Sequence, residues 1–221
     1  MVASVAYWVT VGIGVVVGAV LCVAARRRPG RWTLAASRAL SVLLAATAVA
    51  FVVYPIVDGT WSARSSLPLD LCDVALVVAA LACWQPAWQW AVELTYFWGL
   101  AGTLQAVSTP DLSVGFPHLA FFVFVVGHLA IVLAAVFLVA GLRLVPRRGS
   151  VPRVFAITAA YTAFVGLVDW RLDANYMFLR AIPGHASLLS VLGPWPWYLL
   201  SAAVVALALL LVLDLPFRHH H

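Results

Sequence analysis

Lysine is missing altogether: all 13 basic residues are arginine, and glutamate occurs once, at Glu93. Charged residues of both signs make up only 10% of the 221 residues, where a soluble domain carries roughly 25%. A chain this poor in charge cannot cover a globular surface with polar groups, so a water-soluble fold is excluded and the outer surface must face hydrocarbon. Cysteine is scarce as well. Cys22, Cys72 and Cys83 make no disulfide framework and have no paired metal-ligand spacing, so neither a metal nor another cofactor is expected. No polar stretch is long enough for a separate soluble domain. Residues 1–218 read as a single transmembrane helical domain, and His219, His220 and His221 as a possible tag remnant without function.

What the chain has in abundance is apolar sequence, 65% of its residues, with a mean hydropathy of +1.04. Seven apolar segments emerge, at about residues 3–25, 32–54, 68–84, 87–107, 117–144, 154–170 and 195–213. Prolines punctuate their ends, where a missing amide costs little. The expected fold is an all-α polytopic bundle of about seven transmembrane helices. The first segment reads as a retained helix rather than a cleaved signal, because its positive cluster follows the apolar run instead of preceding it.

The net charge of +5 and pI of 9.6 raise the question of nucleic acid. The positions of the arginines answer it: most flank apolar runs, which is topology information and not a binding stripe, so no nucleic-acid partner is expected. Arg26, Arg27, Arg28 and Arg31 follow the first segment, Arg143, Arg147, Arg148 and Arg153 follow the fifth, and Arg218 follows the seventh. In a seven-helix chain these nine lie on one side, against Arg64, Arg171 and Arg180 on the other. The positive-inside rule then puts the N-terminus outside and the C-terminus in the cytoplasm. Arg38, inside the second segment, can snorkel to the same face. The bias to Ala, Val, Leu and Arg hints at a GC-rich bacterial genome and hence the bacterial cytoplasmic (plasma) membrane.

Polar groups in hydrocarbon cost several kcal/mol unless they are paired or face a wet cavity. Here they gather in the outer half of the membrane: Asp70, Cys72 and Asp73 at the start of the third segment, Gln105 late in the fourth, His118 and His128 in the fifth, and Asp169, Asp173, Asn175 and Tyr176 at the end of the sixth, with His185 in the long outer loop. A polar cavity opening outward is the simplest account. Two readings stand for His128: a neutral imidazole hydrogen-bonded to a neighbouring helix, or a general base. Two stand for Cys72 likewise, an inert buried thiol or a nucleophile. Its place at a helix N-terminus favours a thiolate, while Asp70 and Asp73 disfavour one. Cys22 and Cys83 read as small apolar residues near the cytoplasmic side. Glu93 should be protonated, or paired with Arg38 or an amide. The tryptophans at segment ends form an interfacial belt.

Specific strings narrow the choice. Leu67-Pro68-Leu69-Asp70-Leu71-Cys72-Asp73, Tyr96-Phe97-Trp98-Gly99-Leu100-Ala101-Gly102-Thr103-Leu104-Gln105-Ala106, Thr109-Pro110-Asp111, Phe116-Pro117-His118, Gly127-His128, Asn175-Tyr176-Met177-Phe178-Leu179 and Gly193-Pro194-Trp195-Pro196-Trp197-Tyr198 resemble the bacterial YwaF-like integral membrane family, over about residues 60 to 200. That family resembles a eukaryotic transmembrane acyltransferase of arachidonoyl ether-phospholipid synthesis. The resemblance implies Cys72 as acyl-accepting nucleophile and His128 as its base. Asp70 and Leu129 depart from the family's usual His or Gln and small residue.

The expected activity is an intramembrane lipid acyltransferase or transacylase, or a lipid ester hydrolase, acting on membrane phospholipids through a Cys72 thioester. Asp73 is expected to orient the imidazole, and Gln105, Asn175, Tyr176 or His185 to donate to the oxyanion. The alternatives are a small transporter or ligand-binding membrane protein, in which His128, Asp73 and Glu93 relay protons along a path reaching both sides, and a structural subunit whose polar groups only fix helix packing.

Overall fold

The computed structural model describes residues 4–110, 115–184 and 187–220. Its described residues are helical with no strand, and they form seven rods. These are α1 (Val5–Arg27), α2 (Arg31–Val57), α3 (Leu71–Trp84), α4 (89–108), α5 (Leu119–Gly141), α6 (Ser150–Leu172) and α7 (Trp197–Asp214). Five of them, α1, α2, α5, α6 and α7, are long and apolar enough to cross a membrane on their own.

The exceptions, α3 and α4, carry the site. α4 is α-helical over Gln89–Phe97 and Leu104–Ser108 but takes a π turn over Trp98–Thr103, a wider coil of the kind often found at functional sites. Nothing in the apolar periodicity announces it. α3 has only 14 residues because Asp70 and Asp73 cap it reciprocally, so that Pro68 lies outside the helix rather than opening it. Fourteen residues span about 21 Å, some 9 Å short of a 30 Å hydrocarbon core. The other boundary shift is at α2, which continues past Pro55 to Val57, since a proline in the last turn removes a single intrahelical bond.

Contacts at the helix ends fix how the rods alternate. Arg26 Nε of α1 donates to the Ala140 carbonyl at the end of α5 (2.5 Å), Ser37 Oγ of α2 to the Cys83 carbonyl at the end of α3 (2.7 Å), and Tyr96 of α4 to the Leu213 carbonyl at the end of α7 (3.1 Å). Tyr7 of α1 donates to the Val107 carbonyl of α4 (2.6 Å) at the opposite end. The arginine-bearing connections therefore share one face, which the positive-inside rule makes cytoplasmic; the other is the outer face.

Packing is closest where small residues meet. Ser37 and Ser41 let α2 lie against the Cys83 and Ala80 carbonyls of α3, and Gly99 puts α4 against Ala135 of α5. α6 and α7 stack on the outside of α4, where Trp98 Nε1 donates to Thr158 Oγ1 (2.8 Å). Gly127 is the tightest point beside the site: a Cβ there would come 2.9 Å from Thr47 Cγ2 and 3.2 Å from the Phe51 ring. Gly127→Val is accordingly expected to cost about 1–3 kcal/mol by forcing α5 away from α2. Thermal unfolding in detergent checks this, with Gly12→Val, which meets nothing within 4 Å, as the control that should not shift.

Candidate functional site

A cavity of about 700 Å³ lies in the outer half of the bundle. Its walls are Phe51, Val52 and Pro55 of α2, Leu71 to Asp73 of α3, the π turn and outer end of α4, Phe124 and His128 of α5, and Ala202, Val205, Ala206 and Leu209 of α7. Ser65, Ser66, Met177, Phe178 and Ser187 of the outer loops form its upper part. Most of the lining is apolar. Cys72 and His128 both face this one space. His128 is nine residues into α5, about 14 Å along the helix, and Cys72 is the second residue of α3.

His128 is 4% exposed. Its ring stacks on Phe124 (centroids 4.1 Å apart) and meets Phe51 edge-on (6.4 Å). The Phe124 carbonyl can only accept, so the 2.8 Å contact to His128 Nδ1 requires the proton on Nδ1. The neutral ring then presents Nε2 as an acceptor, and Nε2 has no hydrogen-bond partner among the described residues. This is the tautomer a general base needs, set by the helix backbone without help from an acid.

The two carboxylates beside the thiol are committed to backbone. Asp73 Oδ2 accepts from the Asp70 amide (3.1 Å), and Asp70 Oδ1 from the Met177 amide (2.7 Å). Asp73 therefore lines the cavity but does not orient the imidazole; Phe124 does. Gln105 also lines the cavity, just past the π turn. Asn175 and Tyr176, expected as oxyanion donors, hold the outer loops instead. Asn175 Oδ1 accepts from the Arg180 and Ala181 amides (2.8 and 3.0 Å), while the Tyr176 hydroxyl accepts from the Leu67 amide (2.9 Å) and donates to the Ala63 carbonyl (3.0 Å). His185 lies outside the described residues.

Sequence reasoning missed Tyr161. From α6 its hydroxyl donates to the Leu69 carbonyl (2.8 Å), so with Tyr176 and Met177 it pins the segment that presents Cys72. A lone tyrosine in the middle of an apolar segment was the available signal. Glu93 is a second correction. It does not pair with Arg38, which stacks over Trp84 (5.4 Å); its carboxylate is gripped by Arg147 and Arg153 at 2.8–3.2 Å and also accepts the Arg147 amide (3.0 Å). The partners come from the loop after α5 and the first turn of α6, which sequence proximity does not reveal. Cys22 and Cys83 are buried in apolar packing, as their surroundings in sequence suggest. Among the described residues, no three His, Cys, Asp or Glu side chains come together to hold a metal ion.

Seven packed rods with an apolar exterior and a cavity inside define a multi-pass helical membrane protein. Residues 2–214 match the TMEM164 family, and the chain belongs to that family of transmembrane proteins. No curated protein and no solved structure matches it. The narrower YwaF-like assignment has no match to support it.

Proposed function

We propose that the protein is an intramembrane lipid acyltransferase that moves a fatty acyl group from a phospholipid ester through a thioester on Cys72. The observation that carries this reading is that Cys72 and His128, whose Nε2 has no partner among the described residues, line the same mostly apolar cavity. An acyl ester enters the cavity. His128 Nε2 takes the thiol proton as Sγ attacks the ester carbonyl, and the tetrahedral adduct collapses with cleavage of the carbon–oxygen bond. The imidazolium returns its proton to the departing lysolipid alkoxide. An acceptor hydroxyl then repeats the sequence in reverse: His128 takes its proton, its oxygen attacks the thioester, and Sγ leaves and is reprotonated. Gln105, which lines the cavity just past the π turn, donates to the oxyanion in this reading.

The transport alternative would need Glu93 on the polar route. Glu93 does not line the cavity and is closed off by two guanidiniums at the cytoplasmic end. A thiol-reactive lipid probe tests the proposal: the wild-type chain should label, Cys72→Ser should not, and His128→Ala should label far more slowly. Cys22 and Cys83 are buried and should stay unlabelled. Equal labelling in all three chains would remove the proposal.

A further inference from the structure

The outer side of the membrane carries only three arginines, and two of them share one carboxylate, that of Asp173. Arg180 Nη1 lies 2.7 Å from Asp173 Oδ1, and Arg64 Nη1 lies 3.7 Å from Asp173 Oδ2. The third, Arg171, stacks on Trp170 (5.0 Å). Arg64 directly precedes Ser65 and Ser66, which line the cavity, and Arg180 follows Met177 and Phe178, which line it from the other side. The bridge therefore ties together two loop segments that line the cavity.

Charge at this bridge does not balance. One carboxylate contacts both guanidiniums, and the next nearest, Asp169, is buried with its Oδ1 turned to the Tyr176 amide. Arg64 is the less engaged partner: its side chain is 67% exposed, and 3.7 Å is too long for a good charge-assisted hydrogen bond. All the bonds made by the Arg180 side chain run through Nη1, so Nε and Nη2 have no partner among the described residues. Asp173 stays ionised as the shared counter-charge, because the hydrogen bond and charge of Arg180 hold its carboxyl below the usual carboxylate range.

We infer that Arg64 and Arg180 form a phosphate site that holds the headgroup of the lipid whose acyl ester reaches Cys72, the phosphate replacing Asp173 on Arg64. This rests on the acyltransferase reading. The geometry supports the pairing of the two sites. The cavity offers an apolar interior for a chain, and the cationic bridge joins the two loop segments whose next residues line it, which is where a headgroup would follow the chain.

Binding, not turnover, tests the site, with the full-length Cys72→Ser chain in non-ionic detergent so that no acyl transfer intervenes. Dioctanoyl phosphatidylglycerol should bind at least about tenfold tighter than dioctanoylglycerol, read from ligand-induced shifts of thermal unfolding, and added salt should shrink the difference. Arg64→Gln should abolish the preference while leaving diacylglycerol binding unchanged. Asp173→Asn should raise phosphatidylglycerol affinity several-fold by freeing Arg64; asparagine tolerates the left-handed backbone at 173 (φ 52°, ψ 44°). Glycerol 3-phosphate, lacking tails, should bind far more weakly than the lipid. The inference is overturned by no preference between the two lipids, by an unchanged preference in Arg64→Gln, or by glycerol phosphate binding as well as the lipid. Because catalysis is not read, failure of Cys72 chemistry elsewhere leaves these outcomes intact.

Discussion

In His128→Ala, acyl transfer is expected to fall by roughly 10²–10⁴-fold, the usual contribution of a positioned general base, while Cys72→Ala loses it entirely. The two losses differ in kind. Without the sulfur there is nothing to carry the acyl group. Without the imidazole the thiol remains, and only the group that takes its proton is gone. Removing the ring also leaves room beside Phe124 in an already open cavity, so added imidazole should restore part of the rate to His128→Ala. A histidine that merely fixes helix packing predicts no rescue. It predicts instead a lower unfolding temperature that tracks the loss of activity, whereas the general-base role allows the variant to stay folded.

The second large effect concerns stability at the cytoplasmic end. Glu93 is 1% exposed, while the side chains of Arg147 and Arg153 are 50% and 39% exposed. The two sides of this cluster should therefore respond unequally. Truncating both arginines strands a buried carboxylate with only the Arg147 backbone amide to satisfy it, expected to cost about 3–5 kcal/mol. Glu93→Gln keeps the shape and leaves two guanidiniums that can turn to water, so its cost should be only about 1–2 kcal/mol. The triple variant, with glutamine at 93 and both arginines truncated, should recover much of the loss suffered by the double variant. Chemical or thermal unfolding in detergent reads the order. Per folded molecule, Glu93→Gln should retain acyl transfer, because Glu93 lies away from the cavity; a proton-relay role would instead make it as damaging as His128→Ala.

Much of the fold was legible in the sequence, because hydrocarbon imposes strong rules. Seven apolar runs, prolines at their ends and nine arginines against three fix the helix number and the shared face of the basic connections, and the contacts of Arg26, Ser37 and Tyr96 agree with them. What composition could not show is where a helix departs from α geometry or stops early. The π turn at Trp98–Thr103 and the late start of α3 at Leu71 depend on tertiary packing and on a carboxylate pair that serves as a cap.

Cys72 and His128, which the strings quoted from the sequence single out, both line one cavity. The partners of the neighbouring polar groups do not follow from those strings. Asp73, Asn175 and Tyr176 are residue types that read equally well as catalytic helpers or as loop fasteners, and only their hydrogen bonds decide. For Glu93 the sequence leaves a proton, Arg38 or an amide as partners; the Arg147 amide does bond it, but the guanidiniums of Arg147 and Arg153, chosen by helix adjacency and not by distance along the chain, stand where Arg38 was offered.

The most direct measurement is to follow an isotopically labelled acyl chain from a phospholipid onto the purified protein, with acid quenching, proteolysis and mass mapping. The account predicts the label on the peptide that contains Cys72, released by neutral hydroxylamine and absent from Cys72→Ala. Label on any other residue, or turnover of the phospholipid that continues undiminished in Cys72→Ala, would contradict it.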